Sequence, residues 1–403
     1  MQNLSSQLSA VSLACLAAAS VNNFANANTL HDALAQGKAS ADFNLRYENV
    51  SQDNVLQDAD ALTLRTRIAY TSGAYEGWSF KVEMEDSRIV LGQGDYSVPP
   101  AGYNSGIYSV IADPEVTELD QGYIQYKKDG FTFKGGRQVI ALDDHRFVGH
   151  VGWRQDRQTF DALAFAYDVN DKLSTKYYYV TQRNRIFGEQ ADLDSKDHLL
   201  NISYQTDIGK IVAYAYLLEV DNTINNSLNT YGAHIKGKQE LSDIMFNYHV
   251  EVATQTAESG TNDFDATYYN VNVGADLGKI TLGLGYEVLG SDDGNYGFST
   301  PLATLHKFNG WADLFLATPA QGLADMKVSA KGKFLGGNVI VAYHNYEADK
   351  ASSTVDDLGS EINAQYTTQV MGKYILGLKY AAYSGDGGRP DTDKAWIWIA
   401  TKF

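Results

Sequence analysis

The last nine residues of the chain, 395–403, read AWIWIATKF and decide how the rest of the sequence is interpreted. β-Branched and aromatic residues dominate the stretch, as they do in β-strands. Aromatic and aliphatic side chains alternate in it with a period of two, whereas an α-helix would repeat about every 3.6 residues. The stretch therefore predicts a final β-strand that ends on an aromatic side chain, Phe403.

The same period of two recurs from Gly37 onward, with apolar side chains on one face of each segment and polar or small ones on the other. In a representative segment the apolar positions are Ile280, Leu282, Leu284, Tyr286 and Val288, and the intervening ones are Thr281, Gly283, Gly285 and Glu287. Another apolar face is formed by Val212, Tyr214, Tyr216 and Leu218. We expect the apolar faces to point outward along the whole chain.

About 18 segments show this pattern. They span residues 37–47, 59–71, 78–89, 117–127, 131–138, 158–168, 173–182, 197–206, 209–220, 229–239, 243–255, 264–275, 279–289, 325–334, 338–348, 360–369, 374–384 and 394–403. Tight turns such as Asp129-Gly130 alternate with long polar loops at 90–116, 139–157, 183–196, 290–324, 349–358 and 385–393. An even strand count puts both termini on the side of the short turns. The stretch 290–324 then becomes one outer loop, whose portion 309–318 is predicted to be a short helix folded inward.

These features predict an all-β transmembrane protein, an antiparallel up-and-down β-barrel in the outer membrane of a Gram-negative bacterium. No apolar run after the first 27 residues reaches the length of a spanning helix, and a closed barrel is the other structure that leaves no backbone group unpaired in lipid. A soluble β-sandwich would explain the alternation but not the short and long connections. The 27 tyrosines suit aromatic girdles at the two membrane faces.

Both ends of the chain carry signals typical of export to that membrane. Residues 1–27 are predicted to be a signal peptide, with an apolar run at 8–21 and a small-x-small site at Ala25-Asn26-Ala27, so the barrel domain would be 28–403. A short buried helix is the alternative interpretation. The terminal strand ending on Phe403 resembles the signal read by the barrel assembly machinery, which would be a partner together with outer-membrane lipid. The one cysteine, Cys15, lies in the signal peptide, so the mature chain is expected to lack disulfides.

The formal charge of −17 argues against nucleic acid as a partner, yet basic residues recur where the lumen is predicted. On strands these are Arg46, Arg65, Arg67, Lys81, Lys134 and Lys176, and in the polar block 136–161 they are Arg137, Arg146, Arg154 and Arg157. Further lysines with the same facing are Lys236, Lys238, Lys327, Lys331, Lys333 and Lys379. Such a set either attracts anions into the pore or braces the lumen against interspersed acids, and periodicity leaves both interpretations open.

No catalytic pattern stands out in the sequence. It contains no Gly-x-Ser-x-Gly elbow, metalloprotease helix or phosphate loop. The run Asp143-Asp144-His145 does not follow a known metal-ligand spacing. We therefore predict neither an enzyme nor a bound cofactor.

Four blocks make the chain similar to the alginate export family of outer-membrane porins. They are 64–67 (LRTR), 136–162, 308–313 with 318–323, and 342–349 with 359–362. The resemblance extends over nearly the whole mature barrel. It implies an 18-stranded barrel whose arginine-rich constriction passes an acidic polysaccharide outward, with an outer and a periplasmic loop narrowing the pore.

The sequence and the resemblance together predict an outer-membrane channel for anionic solutes, with acidic polysaccharide such as alginate or its oligomers as the favoured cargo. A structural or adhesive barrel with a plugged lumen and a general small-solute porin are the alternatives. A hydrolase in the lumen is a third alternative, and no residue pattern supports it.

Overall fold

Eighteen antiparallel strands form one closed barrel in the computed structural model, which describes residues 27–403. Each strand pairs with its neighbour in the chain, and the first pairs with the last from Asp42↔Lys402 to Gln52↔Thr392. Closure leaves no free strand edge. Apart from Ala27, the predicted signal peptide lies outside the described residues.

The barrel strands follow the chain in order. They are β1 Lys38–Gln52, β2 Ala59–Thr71, β3 Trp78–Asp95, β4 Val116–Lys128, β5 Phe131–Gln138, β6 Thr159–Asp168, β7 Leu173–Asn184, β8 Leu193–Thr206, β9 Gly209–Leu218, β10 Leu228–Leu241, β11 Ile244–Ser259, β12 Asn262–Asp276, β13 Ile280–Leu289, β16 Leu323–Phe334, β17 Gly337–Glu347, β18 Asp357–Val370, β19 Tyr374–Ser384 and β20 Thr392–Lys402. Each predicted segment coincides with one of them, so the predicted fold class is confirmed.

Little regular structure lies outside the wall. A six-residue helix, α1 Leu30–Ala35, precedes β1, and a small hairpin, β14 Ser291–Asp292 and β15 Tyr296–Gly297, follows β13. Single 3₁₀ turns occupy Pro99–Ala101, Asp143–His145, Glu189–Ala191 and Leu305–Lys307. Among residues 27–403, no helix has both the length and the apolar character needed to cross a bilayer.

Side chains alternate between the outer surface and the lumen as predicted for most strands. On β13, Leu282 and Leu284 are 48% and 58% exposed on the outer surface, whereas Glu287 is 8% exposed on the inner one. The outer surface is therefore the apolar one that faces lipid.

Strand β9 is an exception to the predicted facing. Its apolar side chains Val212, Tyr214, Tyr216 and Leu218 are buried inside the barrel, so the prediction that they point outward is wrong. They face inward because Phe147, from the loop after β5, packs on them, with ring centroids 5.1 Å from Tyr214 and 6.1 Å from Tyr216. An apolar inner wall at β9 therefore marks where a loop rests.

Two outer loops fold into the lumen, and we call them loop A (139–158) and loop B (298–322). Loop B contains the stretch predicted as a helix, and that prediction is wrong, since 309–318 forms isolated turns and no helix. Gly310 and Asp313 have φ of 91° and 63°, and the backbone N–H groups of Trp311 and Ala312 donate to the Glu361 carboxylate of β18 at 2.5 and 2.9 Å. A helix would have needed those backbone conformations to be right-handed.

Candidate functional site

Loops A and B cross the lumen as a joined unit. The N–H of Gly149 and the side-chain amide of Gln158 in loop A both donate to the Leu302 carbonyl in loop B, at 2.8 and 3.1 Å. The ring of Trp153 stacks on that of His306, with centroids 3.5 Å apart and planes inclined by 16°. Burial lowers the pKa of His306 to about 3, so this ring is neutral at ordinary pH. The loops thus divide the lumen together.

Arginines fasten loop A to the barrel wall. The Arg154 guanidinium lies 2.7 Å from the Glu48 carboxylate of β1 and 3.3 Å from Asp313 of loop B. The Arg146 Nε donates to Glu287 of β13 at 2.7 Å. Burial alone lowers the pKa of Arg146, but the adjacent Glu287 carboxylate outweighs it and holds the pKa above its ordinary value. Both guanidinium groups therefore stay charged and paired.

Each of the other arginines of the predicted site has a carboxylate partner, and all but Arg137 lie inside the barrel. Arg137 lies on the outer face of the wall, because its cross-strand partner Asp161 shares a face with the outward-pointing Leu163, so the prediction that Arg137 lines the pore is wrong. Arg46 pairs with Asp113 of the loop after β3, Arg65 with Asp42, Arg67 with Glu85, Arg137 with Asp161, and Arg157 with Asp120 and Glu83. Arg46, Arg65 and Arg67 are buried. Buried pairs of this kind hold geometry, and each partner cancels much of the other's field at a distance.

The lysines of the predicted site are placed differently from one another. Lys81 lies 2.9 Å from the Glu83 carboxylate, and the Lys134 ammonium lies 4.3 Å from the centre of the Tyr123 ring. Within residues 27–403, neither Lys134 nor Lys176 has a carboxylate oxygen within ion-pair distance. All three lie on the halves of β3, β5 and β7 next to the short turns. These turns face the periplasm in outer-membrane barrels.

A cavity of about 550 Å³ opens at the same end of the barrel, beside the turn that joins β8 to β9. We call it the vestibule. Its cationic lining residues are Arg146, Lys210, Lys236, Lys238, Lys307, Lys327 and Lys331, and its carboxylates are Asp143, Asp144 and Asp207. Seven cations against three anions leave a formal excess of four positive charges, which becomes three when Arg146 is counted with its buried partner Glu287. The vestibule is therefore a cationic space within the lumen.

The predicted site contains only Arg146 of these vestibule residues. Lys236, Lys238, Lys327 and Lys331 were recognisable as lumen-facing from their period on β10 and β16, but nothing in the sequence shows that they share one space. Lys210 comes directly after a tight turn, and Lys307 comes from loop B. Their convergence depends on barrel closure and on the inward path of the loop, which no local pattern encodes.

The sequence profile of "Alginate export" matches residues 32–297, which include β1 to β13, all of loop A and most of the vestibule. The chain belongs to the alginate export family. The family match stops before the blocks 308–323 and 342–362, so it covers less of the chain than the resemblance suggested. No curated protein matches this family member.

Solved structures of outer-membrane porins share its fold. Acinetobacter baumannii OccAB4 has a TM-score of 0.73 at 12% identity, covering 91% of this chain and 98% of its own. Pseudomonas aeruginosa OpdK with vanillate has a TM-score of 0.71 at 12% identity, with the same coverage of both chains. Family and fold together make this alginate export family protein a multi-pass outer-membrane channel rather than an enzyme.

Proposed function

We propose that this protein passes anionic solutes across the outer membrane, above all an acidic polysaccharide such as alginate or its oligomers. The observation that carries the proposal is the excess of three positive charges that the vestibule keeps when Arg146 is counted with Glu287, in a chain whose net charge is −17. Seven of the 32 lysines and arginines of this acidic chain line that one lumenal space. A cationic wall of this kind raises the local concentration of anions and favours their entry.

The vestibule suits a polymer because its cations are spaced along strands. Lys236 and Lys238 lie two residues apart on β10, and Lys327 and Lys331 lie four apart on β16. These separations correspond to about 7 and 13 Å along an extended strand. A lysine offers a flexible point charge, so each contact is weak and easily exchanged. Successive weak sites let an anionic chain enter and move on.

In this proposal the arginines shape the passage and the lysines select the solute. Arg46, Arg146 and Arg154 are buried and hydrogen-bonded to carboxylates and to loop A, so they set how far the loops narrow the lumen. Lys134 and Lys176 would extend the cationic path from the vestibule along β5 and β7. The division follows from burial, since a charge already neutralised by a close partner attracts a passing anion weakly.

A second candidate is a porin for small carboxylates, and one observation favours it. OpdK was crystallised with vanillate, a small aromatic carboxylate, and that barrel covers 91% of this chain. The same vestibule would attract such a solute. The candidates differ in what binds: a polymer engages several lysines at once, whereas a small acid engages one or two.

The test replaces Lys327 and Lys331 by glutamine and records currents from single channels in planar bilayers. A bare charge pair at about 4 Å and an effective dielectric near 20 is worth up to ~4 kcal/mol. If a tenth survives desolvation, each lysine changes binding about twofold. The double replacement should raise about fourfold the concentration of uronate oligomer that half-blocks the current. It should also shift the reversal potential in a salt gradient toward cation preference.

The matched control is the Lys172→Gln, Lys350→Gln double variant, which makes the same charge change at exposed positions outside the vestibule. It should keep the parent's reversal potential and block. Equal behaviour of the two double variants in dilute salt would show that the vestibule does not select the solute. High salt should reduce the difference, because the screening length falls to about 3 Å at 1 M.

A further inference from the structure

We propose that Asp144 is a tethered anion that occupies the vestibule lysines and so makes the channel select polyanions over single carboxylates. The inference rests on the proposed function and specifies which anionic solutes the channel admits. Asp144 would be a specificity-determining residue, because it competes with the solute for the same cation.

The geometry singles out Asp144 from its neighbour in loop A. The Asp144 carboxylate pairs with the Lys236 ammonium inside the vestibule, and its backbone carbonyl accepts from Lys307 Nζ at 2.9 Å. Asp143 instead faces the wall, where the Tyr216 hydroxyl donates to its carboxylate at 3.0 Å and His234 lies 3.2 Å away. Asp143 therefore anchors the loop tip, while Asp144 presents its charge to the lysines.

The backbone of the loop tip is held in an unusual conformation. Asp143, Asp144 and His145 have φ of 45°, 57° and 71°, three successive left-handed residues without a glycine. Left-handed backbone is unfavourable for residues with a Cβ, and it persists where the surroundings hold it. Here the turn directs the Asp144 side chain into the cavity. A conformation maintained by neighbours can relax when one of those contacts is exchanged.

The Asp144–Lys236 pair can be exchanged for a ligand. Its side chains are 51% and 54% exposed, and ion pairs this open to water contribute little to stability. The Arg154–Glu48 pair of the same loop is 4% and 1% exposed and cannot be reached by a solute. Of these two ion pairs of loop A, the Asp144–Lys236 pair is therefore the one that an incoming anion can open.

Displacement should favour polymers over monomers. A side chain tethered beside its partner competes at an effective concentration on the order of millimolar or higher. A single carboxylate must outcompete that concentration at one lysine. A polyuronate offers several carboxylates, so it can also engage Lys238, Lys327 and Lys331 while it displaces Asp144. The gain from simultaneous contacts exceeds what any one contact supplies.

The experiment compares the parent channel with Asp144→Asn, using glucuronate monomer and a polyuronate oligomer as the probes. Both half-blocking concentrations are measured in planar bilayers, and the readout is their ratio. Removing the tethered charge should strengthen block by the monomer about tenfold and block by the oligomer much less. The half-blocking concentration of the monomer, divided by that of the oligomer, should therefore fall by close to tenfold.

The control variant is Asp171→Asn, which removes a carboxylate from the exposed β6–β7 turn outside the vestibule. Asp171 makes no ion pair within residues 27–403, so its variant should leave the ratio unchanged. The inference is overturned if the ratio is unchanged in Asp144→Asn, or if it falls equally in both variants. The proposed function still stands in that case, provided that the oligomer blocks the parent channel. If neither probe blocks the parent, the proposed function itself fails.

Discussion

Replacing Arg146 by methionine should loosen loop A without unfolding the barrel. Arg146 is 1% exposed, donates to Glu287 at 2.7 Å and to the Thr300 hydroxyl at 3.1 Å, and lies 4.8 Å from the Phe308 ring. Methionine keeps much of the apolar packing but leaves the Glu287 carboxylate buried beside a neutral group. The strands of the wall keep all their hydrogen bonds, because Arg146 joins a loop to the wall.

The size of the effect on loop A follows from the buried Glu287 carboxylate, which loses its ion-pair partner. Removing one partner of a buried ion pair costs about 3–5 kcal/mol, and among residues 27–403 Glu287 retains only the donors of Tyr268 and Asn309, each at 2.7 Å. At about 1.4 kcal/mol for each factor of ten, the equilibrium between inserted and released loop should shift by roughly two to three and a half powers of ten. The Phe147 contacts on β9 remain, so release should be transient.

Single-channel recording measures this shift directly. The Arg146→Met channel should show more open-channel noise and a larger mean conductance than the parent, and external protease should cut within 139–158. Replacing Glu287 by methionine as well removes the stranded charge and should restore part of the parent's behaviour. Arg137→Met is the control, because Arg137 pairs with Asp161 at 2.8 Å between two wall strands. Parent-like noise and conductance in folded Arg146→Met channels would refute the reasoning.

Two further predictions concern the barrel itself. Deleting Phe403, whose ring is 61% exposed, should leave unfolded chain in the periplasm despite its few contacts, because it belongs to the predicted assembly signal; normal amounts of heat-modifiable barrel in the membrane would contradict this. Arginine at lipid-facing Leu284 should cost about 2–4 kcal/mol of unfolding free energy in refolded vesicles, and arginine at lumen-facing Ser329 should cost less. Equal costs would mean that the register is shifted by one residue, which exchanges the two faces.

Some features of the site were readable in the sequence because the residues concerned are near one another in the chain. Arg65 and Arg67 are two apart on β2, and a period of two places both on one face whatever the rest of the fold does. Their partners Asp42 and Glu85 lie on the adjoining strands β1 and β3. The family resemblance pointed to an arginine-rich lumen but carried no information on which carboxylate each arginine meets.

The sequence by itself determined the strand number, the order of the strands and the lipid-facing side of most of them. An up-and-down barrel pairs each strand with its neighbour in the chain, so a local alternation carries nearly all of that information. Only the tertiary structure decided what the lumen contains. Arg146 meets Glu287 across 141 residues and Lys236 meets Asp144 across 92, through loops that have no period. The inward face of Tyr214 on β9 was likewise decided by Phe147, because an apolar side chain is buried equally well by lipid or by a loop.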